Sequence, residues 1–210
     1  NDKPSANVGS VSSKGADGNF TYKQRVGKVS LTIRGNATYS HNEILEKDEG
    51  FKNYPYQYER GYRVNQSKGL IALGLFKDWD DIRNSPAQTA WGTVEPGDIK
   101  YKDVNGDRVI NNDDRVAIGS TKKPSFIYGL GASAQWEGLD VNVHFQGAGK
   151  SSFQINGANV HAFSRGQWGN ILKGLVEDRW ISRDISGDPA TENPNASYPR
   201  LEYENSNGNN

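Results

Sequence analysis

From Lys28 to His41 apolar and polar residues alternate almost without a break. Val29, Leu31, Ile33, Ala37 and Tyr39 fall on one parity, and Ser30, Thr32, Arg34, Asn36, Thr38 and Ser40 on the other. A period of two sends successive side chains to opposite faces, so the stretch predicts a β-strand with one oily and one wet side. It is longer than the five or six residues usual in soluble sheets. Upstream, Phe20 to Gln24 reads as its partner through a tight turn at Val26-Gly27, giving a hairpin over about 17–41. A second hairpin, about 125–147, repeats the design. Phe126, Tyr128, Leu130, Ala132, Ala134 and Trp136 alternate with Ser125, Gly129, Gly131, Ser133 and Gln135. After a turn at Glu137-Gly138, Leu139, Val141, Val143 and Phe145 alternate with Asp140, Asn142, His144 and Gln146.

Two long polar connections make up the rest, 42–124 and 148–210. The first holds the aromatic segment Tyr54-Pro55-Tyr56-Gln57-Tyr58, the apolar run from Gly69 to Phe76, and an acidic loop at 103–114. In the second, Ile171, Leu172, Leu175, Val176 and Trp180 recur at helical spacing and predict a short helix near Gly169–Ile181, whose ordinary role is local packing. From Gly187 onward Gly, Pro, Asn and Ser dominate, which reads as loop. A soluble sandwich also alternates. Tight turns at one end and long connections at the other favour the wall of a transmembrane β-barrel. The expected fold is therefore mainly β, with antiparallel hairpins and long loops.

Composition narrows the function. The 210 residues carry 25 Lys and Arg against 25 Asp and Glu, and no basic stripe marks a nucleic-acid binder. Cysteine is absent, which excludes disulfides, thiolate chemistry and Cys-bound zinc. No apolar run approaches the ~20 residues of a membrane helix, which leaves a β-barrel untouched. The chain starts at Asn1 without a basic-then-apolar leader, and is expected to be either processed or a piece cut from something longer.

Residues 103–114 read DVNGDRVINNDD. Oxygen-bearing side chains at positions one, three, five, nine and twelve (Asp103, Asn105, Asp107, Asn111, Asp114), with the Val109 carbonyl at seven, have the spacing by which an EF-hand-type loop surrounds Ca²⁺. The same residues also suit a purely structural acidic turn. Position six is Arg108 where such loops need Gly, and Arg at positive φ costs roughly 1 kcal/mol or more. The loop is therefore expected to bend differently there. Ile99-Lys100-Tyr101 alternates like a strand, so a static clamp is expected rather than a helix-flanked calcium sensor. Gly147 to Ser152 lacks the first Gly of a phosphate loop, and reads as a glycine-rich strand exit. His41, His144 and His161 are scattered, and Asp80-Asp81 and Asp113-Asp114 lie in polar loops. No catalytic constellation assembles, and the protein is not expected to be an enzyme.

Pro96 to Lys150 resembles the C-terminal barrel region of SusC/RagA-type TonB-linked outer-membrane transporters: an acidic calcium-like loop, a "P.F.YGL" entry, a strand, a turn, and a strand ending in "FQG.G". The segments around Asn7 to Gly15, Thr38 to Leu45, Trp180 and Tyr198-Pro199-Arg200-Leu201 agree, with Asp17 and Arg108 departing from the pattern. The resemblance implies an importer of oligosaccharides, or of peptides, in a bacterial outer membrane. It further implies a SusD-like lipoprotein lid, energy from TonB through regions outside this chain, and extracellular loops. Tyr54, Tyr56, Tyr58, Trp91 and Trp168 are the aromatic candidates for contact with the nutrient. A fragment without plug or TonB box would not transport alone. The alternative from another class is a soluble calcium-binding, carbohydrate-binding or dockerin-like β module, although dockerins pair two such loops and one is present here.

Overall fold

A computed structural model describes residues 7–155, 161–163, 171–182, 186–188 and 192–201. The chain divides into two units, residues 1–67 with 117–153, and residues 68–116 with 154–210.

The first unit is built on a four-stranded antiparallel sheet ordered β1-β2-β7-β8. Its members are β1 (Ser10–Val26), β2 (Val29–Glu46), β7 (Phe126–Trp136) and β8 (Leu139–Gly149). Both alternating hairpins form, and the first runs further at each end than alternation alone marks. The turn between β7 and β8 has positive φ at Glu137 and Gly138, the primed geometry whose twist suits a two-residue hairpin. Lys28 and Glu137, one beside each tight turn, form an ion pair. From Ala16 to Val26 the register is continuous across all four strands, so side chains line up in rows of four. Tyr22, Ile33, Ala132 and Val143 make one apolar row, and Lys23, Thr32, Ser133 and Asn142 the polar row beside it. At the far end Ile44 is buried, and its backbone exchanges hydrogen bonds with Gly61 and Tyr62. The long loop thereby folds back onto the β2 tip.

Two-residue strands β3 (Lys68–Gly69) and β6 (Val116–Ala117) mark where the chain passes between the units. In the second unit β4 (Ala72–Leu75) pairs with β5 (Ile99–Tyr101), and α1 (Trp79–Arg83) follows β4. Asp78 caps α1 by accepting from the Asp81 N–H at 2.7 Å. The core here is small: Phe76, Val94, Ile110 and Trp180 are buried. Gln88 is buried among them and satisfied at both ends, donating to the Ile99 carbonyl and accepting from the Tyr101 N–H. The helix expected near Gly169–Ile181 is reduced to α2 (Lys173–Glu177). Residues 169 and 170 lie outside the described residues. Trp180 instead packs in extended chain, its N–H donating to the Tyr198 carbonyl at 2.9 Å.

Candidate functional site

Three features carry chemistry, each inside one unit. The first is the oily face of the sheet. Between the row at Val26 and the row at Ala16 lie ten residue steps, about 33 Å along a strand. Tilted at about 40°, such strands cover an apolar band about 25 Å tall, as in an outer-membrane barrel wall. Trp136 stands at the turn end of this band, and Tyr39, Phe126 and Tyr128 at the other. That is the placement of interfacial aromatic girdles. Two glycines keep the face smooth: a Cβ at Gly35 would meet the Phe20 ring, and one at Gly147 the Tyr128 ring. Nothing among the described residues of the unit covers the face. Leu130, Val141, Val143 and Phe145 keep 50%, 50%, 47% and 66% of their surface exposed.

The acidic loop lies in the second unit, and the structure corrects one expectation about it. Arg108 does not avoid the left-handed turn; it adopts φ 65°. The strain is offset because this turn aims its N–H at Asp103 Oδ2, 2.8 Å away, while Asp103 Oδ1 accepts from the Gly106 N–H at 2.6 Å. Asn105 accepts from the Asp107 N–H, and Asp107 from the Val109 N–H. Asn111 caps the short 3₁₀ turn Asn112–Asp114 through the Asp113 N–H. Asp114 is fully buried, and its two oxygens accept from the Val104 and Asn111 N–H groups at 2.8 and 2.9 Å. On the other side Ala87 bridges the loop, donating to the Arg108 carbonyl and accepting from the Ile110 N–H, with Val109 between them. The donor set is hard oxygen throughout, the chemistry Ca²⁺ takes. In this structure the carboxylates turn toward the loop's own N–H groups, and no three acidic or His side chains converge on a common point among the described residues.

The third feature is a clasp. Asp98 is fully buried, with Oδ1 accepting from Arg200 Nε at 2.7 Å and Oδ2 from the Glu95 N–H at 2.9 Å. Arg200 also reaches Glu95 at 3.3 Å, and its own N–H donates to the Gly97 carbonyl. Burial pushes the Asp98 carboxyl above the usual carboxylate range, against the lowering pull of the Glu95 N–H and the Arg200 guanidinium. Nearby, the hydrogen bond from Lys100 (2.7 Å) holds the Asp81 carboxyl below that range. Along the sequence, Pro96 onward and Tyr198 to Leu201 are separate motifs with nothing local to join them. Asp98 and Arg200 lie 102 positions apart, and no local pattern announces such a pair.

No protein-family model matches the chain. Its sequence is 32% identical over 144 residues, 67% of its length, to TonB-dependent receptor P26 of Formosa agariphila. Its fold matches the structure of the RagAB peptide transporter with a TM-score of 0.61 at 18% identity, over 96% of this chain. The chain resembles a segment of a SusC/RagA-type TonB-dependent receptor. The chain spans 13% of the length of the curated relative and 21% of that of the solved chain. Of the aromatic candidates, Tyr54 and Tyr56 stack in parallel at 5.4 Å, and Tyr58 lies under the Arg60 guanidinium. Trp91 meets Tyr101 edge-on at 6.4 Å in the other unit. Trp168 lies outside the described residues.

Proposed function

We propose that the chain supplies part of the wall and the outer loops of an outer-membrane importer. The importer is driven through TonB and takes up oligosaccharides or peptides with a SusD-like lipoprotein as partner. One observation carries this reading: a band-height apolar face, flanked by aromatics, left bare on a sheet whose other face is polar. A patch of that size is costly in water and is satisfied by hydrocarbon. The outer edges of β1 and β8 call for further strands, which closure of a barrel supplies. Peptide cargo is supported by the likeness of the fold to a peptide transporter, RagAB, and TonB coupling by the likeness of the sequence to the TonB-dependent receptor of Formosa agariphila.

The test uses the complete receptor that contains this sequence. Its deletion should abolish uptake of one class in a panel of fluorescent oligosaccharides and peptides, and the protein should fractionate with outer membranes. Unchanged uptake across the panel, or recovery in a soluble fraction, rejects the reading. Cysteine placed at Lys52 should react with an impermeant maleimide on intact cells if the loops face outward. Within the same reading, Ca²⁺ would be held by Asp103, Asn105, Asp107, the Val109 carbonyl, Asn111 and Asp114. Calorimetric titration should show calcium heat that Asp103→Asn abolishes; absence of heat from the unaltered receptor removes calcium from the account.

A further inference from the structure

One cavity of the second unit has no role in the wall or in the acidic loop. It is formed by four separate stretches, residues 77–79, 95–96, 180–182 and 192–194. Hydrogen bonds and an ion pair hold each stretch in place. Asp78 caps α1, Arg200 clasps both Glu95 and Asp98, Trp180 is tied to Tyr198, and the Asn193 N–H donates to the Ile181 carbonyl at 3.0 Å. Walls set in advance lower the ordering cost of binding. The two indoles of the cavity differ: Trp180 is 5% exposed and belongs to the core, whereas Trp79 stays 53% exposed. Trp79 thus keeps about half of its surface open to a ligand.

The charge of the lining decides what that surface suits. Asp78, Glu95 and Glu192 line the cavity together with Lys77, three carboxylates against one ammonium. Arg200 offsets Glu95 only in part, because it is shared with buried Asp98. Glu192 takes part in none of the ion pairs among the described residues. We infer that this groove binds an organic cation, an alkylammonium or guanidinium group set over Trp79 with its charge toward Glu192 and Glu95. A lysine or arginine side chain of a peptide and the amine of an amino sugar present the same chemistry. Such binding does not depend on whether the complete protein imports what it holds.

Calorimetric titration of the complete receptor with tetralysine, a chitosan tetramer, its fully acetylated counterpart and tetraglutamate separates the outcomes. At least one of the two cations should bind, more weakly as salt is raised, and which one binds identifies the source. Trp79→Ala and Glu192→Gln should each weaken binding by about two- to five-fold, Trp79→Phe should keep most of it, and Lys52→Ala should change nothing. Both altered side chains are exposed, and circular dichroism checks that the fold is retained. Failure of both cations to bind, preference for the acetylated sugar, or an unchanged affinity in Glu192→Gln overturns the assignment.

Discussion

Gly97 and Arg108 occupy the same unusual backbone region, with φ of 92° and 65°, but for different reasons. At Gly97 any Cβ would lie 2.3 Å from the Trp180 ring, so the position requires both the conformation and the missing side chain. Gly97→Ala should cost about 2 kcal/mol or more in urea unfolding, with a shift in tryptophan emission as Trp180 is displaced. At Arg108 the side chain is free to point outward, and two Asp103 hydrogen bonds hold the turn. Asp114→Ala should be severe for another reason: it strands two N–H groups in a buried site, a loss of about 2–4 kcal/mol. The ionisable pairs predict opposite pH behaviour. Asp81 is held low by Lys100, so its contribution is present above the ordinary value of 3.8 and lost as pH falls through the folded value. Asp81→Asn should therefore cost about 0.5–1 kcal/mol at neutral pH and approach the unaltered protein in acid. Asp98 is raised by burial, so its contribution is complete below 3.8 and declines as pH rises through the folded value. The stability difference between the unaltered protein and Asp98→Asn should shrink as pH rises above 3.8, measured by unfolding from acid to neutral pH.

At the level of elements, the sheet's two faces should respond differently to the same substitution. In lipid, Leu31→Arg or Val143→Arg should cost about 2–4 kcal/mol near the middle of the bilayer. Changes at Thr32 or Asn142, one position along, should be mild. Equal tolerance on both faces in a bilayer folding assay would reject the orientation. Element boundaries were less legible than element type. β1 begins at Ser10 although its opening residues, SVSSKGADG, show no apolar alternation; pairing with β2 alone extends it. The apolar spacing before Trp180 belongs to a chain that docks on Gly97 and Tyr198, and only five residues of it close into a helix.

Across the whole molecule, the two units divide the work. One presents a membrane-type sheet, and the other builds an acidic loop, a clasp and a groove on a small core. By itself the sequence determined the two-faced strands, the tight turns and the likeness to a receptor family, because alternation, turn chemistry and short motifs are local properties of the chain. Only the tertiary structure decided that the described residues of its own unit leave the oily face uncovered, that Arg108 accepts the left-handed turn, and that Arg200 closes on Asp98 beside a groove lined by Trp79. Those outcomes depend on which distant residues the chain path brings together, and on whether the gain from their contacts exceeds local strain and desolvation. No window of neighbouring residues contains that balance.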